Sequence, residues 1–276
     1  MSDRRPIALF DSGVGGLTVL GELSKILPDE QLIYFGDTLR CPYGDRSVET
    51  IRKFSVEISD FLLTYDVKMI IAACNTVSSV ALDCVADTAK NIPVIGVVES
   101  GCRAAVESSS AKKIGVIGTR ATIGAGAYGK GIRVINPDVT VYEKACPLLV
   151  HLVEEGEINK EIIDSVIKEY LSDLLDFGID SLVLACTHYP LLHDAFLRCI
   201  GSGVTLINGA EFTAKTAKKI LAENNLLTDT RVGDDILFAT DITPQFERLA
   251  DIFFRRNQQE RVQGGILSLV SLKTEE

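Results

Sequence analysis

The chain contains no apolar run near the roughly 18 residues that a membrane-spanning helix needs. Its opening, Met1-Ser2-Asp3-Arg4-Arg5-Pro6, runs directly into an apolar stretch with no long hydrophobic leader before it, so no signal peptide is expected. A cytoplasmic location is therefore the expectation, and with it a reduced state for all seven cysteines. Those cysteines, Cys41, Cys74, Cys84, Cys102, Cys146, Cys186 and Cys199, include no C-x-x-C pair and no zinc-type spacing. Positive charge is also in short supply. The formal net charge of −10 argues against nucleic acid or an anionic membrane surface as the main partner. The glycine-rich stretch Gly13-Val14-Gly15-Gly16 invites a phosphate-cradling reading, but the G-x-G-x-x-G spacing fails at Thr18.

What is present is a stretch written twice. Met69-Ile70-Ile71-Ala72-Ala73-Cys74-Asn75-Thr76 has a counterpart in Ser181-Leu182-Val183-Leu184-Ala185-Cys186-Thr187-His188. Each is a short apolar run ending at Ala-Cys and followed by small polar residues, the pattern of a strand buried on both faces. Helical sequence follows each, at 77–85 and at 191–199, with Pro190 suited to a first helical turn. Each cysteine thus falls at the carboxyl end of a strand and near a helix N-terminus. Ligands gather there in open α/β sheets, and the helix terminus favours thiolate over thiol.

Other strands are expected at 6–10, 31–35, 93–98 (ending at Glu99), 113–117, 139–142, 204–207, 236–240 and 266–272. Helices are expected at 47–65, 159–177, 211–224 and 244–256. The alternation predicts parallel sheets covered on both faces. The order of elements repeats, so the fold class is α/β: two similar lobes, each a mostly parallel sheet flanked by helices, pseudo-symmetric, with the active site between them. With 46% hydrophobic residues among 276, there is ample material for a packed core. Cys84, Cys102 and Cys199 fit apolar helix faces and read as small core hydrophobes.

Two strand-end thiols admit several chemistries, and plain packing is the bland alternative. A nucleophilic cysteine wants a histidine base; His188 lies two residues beyond Cys186, but nothing matches it beside Cys74. Redox pairs sit close in sequence, unlike these. A metal would need more soft or imidazole ligands than lie near the two motifs. Proton transfer on opposite faces of one carbon needs two bases in mirror-like positions, which two repeated half-sites supply. No lysine occupies a strand end inside these motifs, so no pyridoxal-type electron sink is evident and cofactor-free chemistry is expected.

Phe10-Asp11-Ser12-Gly13-Val14-Gly15-Gly16-Leu17, Gly36-Asp37-Thr38, Cys41-Pro42-Tyr43-Gly44, Ala73-Cys74-Asn75-Thr76, Ile117-Gly118-Thr119-Arg120-Ala121-Thr122, Ala145-Cys146-Pro147-Leu148 with Glu154-Glu155-Gly156, and Cys186-Thr187-His188-Tyr189-Pro190-Leu191-Leu192 together resemble the cofactor-independent aspartate/glutamate racemase family. The resemblance implies interconversion of L- and D-glutamate, with the product serving peptidoglycan synthesis. It implies that Cys74 and Cys186 transfer the protons, with Cys74 serving D-glutamate and Cys186 serving L-glutamate. Asp11 would assist Cys74 and His188 would assist Cys186. Ser12, Tyr43, Gly44, Asn75, Thr76 and Thr187 would hold the substrate, and Glu154 rather than Glu155 would support the site. It further implies a first lobe of residues 1–97 plus 208–276, a second of 98–207, and a homodimer. Two departures are Asn208-Gly209-Ala210, where relatives often read D-S-A or D-S-G, and His151, where they often carry proline. The alternatives are an aspartate racemase of the same family and a non-catalytic amino-acid-binding protein on the same scaffold.

Overall fold

The computed structural model describes residues 2–156, 159–244, 246–248 and 250, together with the backbone of 266–269. The first sheet holds β1 (Ile7–Asp11), β2 (Leu32–Gly36), β3 (Met69–Ala72), β4 (Val94–Gly96), β9 (Ile236–Ala239) and β10 (Ile266–Leu269). The second holds β5 (Lys113–Gly118), β6 (Thr140–Ala145), β7 (Ser181–Ala185) and β8 (Thr205–Ile207). Among the described residues all pairings are parallel, in the orders β10-β9-β2-β1-β3-β4 and β6-β5-β7-β8. The β2-β1-β3-β4 and β6-β5-β7-β8 segments follow one pattern. In each, the first strand in sequence lies between its next two, so the chain reverses its direction of travel beside β1 and beside β5. Such switch points leave a crevice at the carboxyl ends of the strands. Register fixes what meets there: Phe10 pairs with Ala72, and Gly118 pairs with Ala185.

β3 and β7 are apolar along their length because both of their faces are covered; Met69, Ile70 and Ile71 are wholly buried, each worth about 1.5–3 kcal/mol of burial. On one face of the first sheet lies α2 (Val48–Leu63), started by Ser47, whose hydroxyl accepts from the Thr50 N–H at 3.2 Å. Its Ile51, Ile58 and Leu62 pack with Phe10, Phe35 and Ile70. On the other face α1 (Leu17–Ile26) packs against α11 (Ala210–Glu223), and their core is continuous with Leu182 and Leu184 of the second sheet and with Tyr189 just beyond it. The second sheet is covered by α5 (Val97–Ser108), α7 (Ala127–Ile135) and α9 (Lys160–Asp176), with α6 (Arg120–Ala125) and α8 (Leu148–Glu154) at its carboxyl edge. No helix among the described residues is long and apolar enough to cross a membrane.

Three local expectations differ from what the fold shows. The helix expected at 77–85 is two helices, α3 (Asn75–Val80) and α4 (Leu82–Ala89). Ser78 ties α3 to the strand ends, donating to the Ala72 carbonyl at 2.8 Å and accepting from the Val97 N–H at 3.1 Å, and the chain turns at Ala81 so that α4 lies on α2. For the same reason β4 stops at Gly96: the Val97 N–H is taken by Ser78, and Glu99 belongs to the first turn of α5 rather than to a strand end. After the second strand, residues 189–192 form a 3-10 turn before α10 (His193–Ile200). The helix expected at 244–256 is described only at 244, 246–248 and 250; the rest lies outside the described residues.

Candidate active site

Cys74 caps the N-terminus of α3 directly after β3, and its buried thiol donates to Ser12 Oγ at 3.7 Å. Burial, reinforced by the charge of Asp11, pushes this thiol up to about 12. The N–H groups of α3 act in the opposite direction and lose. The thiolate expected from the helix terminus is thus overturned for the free site: a helix of six residues offers a weak dipole, and the desolvation of a buried sulfur is larger.

Cys186 follows β7, equally buried, with Sγ 3.8 Å from His188 Nδ1. The other ring nitrogen, Nε2, hydrogen-bonds a carboxylate oxygen of Glu154, the last residue of α8. Glu154 Oε1 also accepts from the Cys41 thiol at 3.8 Å. Burial alone would push His188 down, but its contacts with Cys186, Cys41 and Glu154 hold it well above the ordinary imidazole value. Burial likewise opposes the charge on Glu154, yet the His188 contact keeps its carboxyl below the usual range. His188 and Glu154 therefore stand as a charged pair behind Cys186.

Asp11 ends β1 and is wholly buried. It accepts from the Gly16 N–H at 3.0 Å, the Gly13 N–H at 3.2 Å and the Thr187 hydroxyl at 3.3 Å. Burial raises its pKa; the His188 charge and these donors resist. Its hydrogen bonds thus tie the glycine turn to the segment after β7, while Ser12 is the direct partner of Cys74.

One cavity with about 260 Å³ of empty space is lined by Ser12, Tyr43, Gly44, Cys74, Asn75, Thr76, Cys186, Thr187 and His188. All were singled out from sequence. Asp11 and Glu154 stand behind this lining. Pro42, Thr119 and Val150 also line it and were not singled out. Tyr43 turns its hydroxyl away to donate to Asp37, which is held in turn by Arg40 at 2.6 Å and the Thr240 hydroxyl at 2.9 Å. Asn75 Oδ1 accepts from the buried Tyr128 hydroxyl at 2.6 Å. Thr76 joins Thr119 at 3.0 Å and Thr122 at 3.2 Å, a hydroxyl cluster bridging the ends of the two sheets. Thr119 and Thr122 had a signal as the cap and first turn of a helix after a strand end; Tyr128, in the first turn of α7, had none. Of the two departures, Asn208 uses its side chain to accept from the Ala210 N–H at 3.2 Å, and His151 is exposed, 3.9 Å from Asp45.

Two thiols at equivalent strand ends open onto one cavity, one beside a hydroxyl and the other beside a charged histidine. Fold and arrangement together place the chain in the class of two-lobed α/β racemases. Residues 18–217 match the Asp/Glu/hydantoin racemase family, and the chain belongs to that family. It is 46% identical over 250 residues to a glutamate racemase of Geobacter metallireducens, covering 90% of this chain and 92% of that one. A glutamate racemase of Chlorobaculum parvum is 45% identical over 92% of this chain and 93% of its own. The crystal structure of the Francisella tularensis glutamate racemase in complex with D-glutamate superposes with a TM-score of 0.89 at 41% identity, covering 98% of both chains.

Proposed function

We propose that this chain interconverts L- and D-glutamate without a cofactor, with Cys74 and Cys186 as bases on opposite faces of the α-carbon. The observation that carries the reading is that both thiols open onto one cavity from equivalent strand ends. In one direction a sulfur anion at Cys186 takes the α-proton while the Cys74 thiol delivers its proton to the other face. In the reverse direction the roles exchange. A cationic imidazole at 3.8 Å is suited to accompany a sulfur anion at Cys186, and Glu154 keeps that imidazole charged and oriented. At Cys74 the thiol is the resting form, with Ser12 as its partner. Asp11 acts on Cys74 through its charge. The Asn75, Thr76 and Thr187 side chains, with Ser12 and the Tyr43-Gly44 backbone, hold the carboxylates and amine. The buried side chains that line the cavity strengthen such contacts on the carbanion-like species.

The lobes in this reading are residues 1–97 plus 208–276 and residues 98–207, in keeping with the membership of the two sheets. A cytoplasmic site of action follows from the need for reduced thiols, and D-glutamate for peptidoglycan is the product's use. A second copy of the chain is the expected partner. The test is an assay of the purified protein with L-glutamate and no added cofactor, reading D-glutamate with a stereospecific coupling enzyme. Glutamate should exceed aspartate at least about tenfold in kcat/KM, as for one well-placed methylene. Equal rates would favour an aspartate racemase, and ligand binding without turnover would favour a binding protein.

A further inference from the structure

Behind Cys186, on the side of His188 away from it, three donors from three separate elements converge. They are Cys41 Sγ, a Glu154 carboxylate oxygen and a His188 ring nitrogen, all within 4.8 Å of one another. We propose that these residues form a zinc site whose occupancy arrests the racemase. Counting ligands along the sequence misses it, because Cys41 precedes β3 and Glu154 ends α8, both far in the chain from His188. The fold alone brings them together.

The donor set is one zinc accepts: a thiolate, an imidazole and a carboxylate. Bonds of roughly 2.0–2.3 Å in a tetrahedron separate neighbouring donors by roughly 3.3–3.8 Å. Cys41 Sγ and Glu154 Oε1 already stand 3.8 Å apart, whereas the hydrogen bond between His188 Nε2 and that Glu154 oxygen has to open for the ion to enter. A fourth position is available to water. A second cavity, with about 490 Å³ of empty space, is lined by Cys41 and Glu154 along with Gly13, Thr38, Thr243 and Phe246. It gives the ion an access path separate from the substrate cavity. Charge balances too. Without metal, the cluster holds a carboxylate, an imidazolium and a thiol, for a net of zero. Zinc binding releases one proton from His188 Nε2 and one from the Cys41 thiol. A dication with a carboxylate, a thiolate and a neutral imidazole again sums to zero, so the half-buried site gains no uncompensated charge.

The consequence for catalysis follows from the two ring nitrogens. With Nε2 on the metal, Nδ1 carries the remaining ring proton and faces Cys186 as a donor only. The ion takes both Nε2 and Glu154, so the charged His188–Glu154 pair that accompanies a sulfur anion at Cys186 is lost. Cys74 and its Ser12 partner are untouched. Arrest of activity rests on the role proposed above for His188; metal binding itself does not.

The test uses the full-length protein and Co²⁺ as a spectroscopic stand-in for Zn²⁺. Wild type should develop a thiolate-to-cobalt charge-transfer band with visible bands of tetrahedral intensity, reversed by competing Zn²⁺. Cys41→Ser and Cys41→Ala should lose the charge-transfer band. Both should bind Zn²⁺ at least about tenfold more weakly by calorimetry, since losing a ligand costs no less than losing an outer-shell partner. Cys74→Ser should keep the band. Zn²⁺ inhibition of wild type should reverse with chelator and weaken in the Cys41 variants by the same factor as binding. The proposal is overturned if wild type gives no charge-transfer band, if the band survives in both Cys41 variants, or if it disappears in Cys74→Ser. A band that depends on Cys41 in a protein with no racemase activity would leave the metal site standing and remove the functional reading instead.

Discussion

Gly15 is the position where a single methyl group tests the geometry most economically. A Cβ there would lie 2.5 Å from Thr187 Oγ1, 2.7 Å from Thr187 Cβ and 2.8 Å from the Thr187 carbonyl carbon. The hydroxyl could rotate away, but the carbonyl carbon is backbone. Ordinary carbon contacts lie at about 3.5–4.0 Å, so relief requires the Thr187 backbone to withdraw by about 1 Å. Thr187 is flanked by Cys186 and His188, so the withdrawal moves both relative to Cys74 while removing no functional group. Displacing a reacting group by about 1 Å costs on the order of 10²-fold in rate. Gly15→Ala should therefore lose about two orders of magnitude in kcat/KM for both enantiomers equally, as the fixed equilibrium requires. The overpacking should cost about 1–3 kcal/mol of stability. The assay is racemisation followed by circular dichroism, with a denaturant melt to establish that the variant is folded. A folded Gly15→Ala with wild-type kcat would refute the inference that the glycine turn sets the position of the Cys186 segment.

Cys74→Ala and Cys186→Ala should each abolish racemisation, whereas Cys84→Ala and Cys199→Ala, half-buried on helices away from the cavity, should leave turnover essentially intact; activity in Cys74→Ala would remove the two-thiol mechanism. Tyr128→Phe strands the Asn75 oxygen that its hydroxyl serves at 2.6 Å, worth about 1–3 kcal/mol, so KM for glutamate should rise by up to about a hundredfold with a smaller change in kcat. In the free enzyme, burial holds the Cys74 thiol near 12, so its alkylation by iodoacetamide, read by mass spectrometry, should still be climbing at pH 10. Levelling off near the ordinary thiol value of about 8.5 would mean that the helix terminus outweighs burial after all.

The two Ala-Cys strand ends were legible because a run buried on both faces has to be apolar, and its first polar residues mark where the sheet stops. That one rule located Cys74, Asn75, Thr76, Cys186, Thr187 and His188 on the cavity wall. The parallel order was legible from alternation, and the break at Ala81 was not, because it depends on Ser78 reaching both Ala72 and Val97. The protonation of Cys74 was misjudged for a related reason: proximity to a helix N-terminus can be read from sequence, whereas the degree of burial that outweighs it is a property of the packed whole. Tyr128 and the Cys41–Glu154–His188 cluster escaped because each joins groups remote in the chain, and periodicity carries no record of such meetings.

The central claim is that two different bases act on opposite faces of one α-carbon, and the fate of the α-hydrogen tests it most directly. Racemisation of protiated L-glutamate in D₂O, stopped at low conversion, is analysed by chiral separation and mass spectrometry. Two thiols that exchange with solvent predict D-glutamate carrying deuterium at the α-carbon in essentially every molecule, while the unreacted L-glutamate stays protiated. D-glutamate that retains the original protium would mean that a single base carries the hydrogen from one face to the other, and would contradict the account.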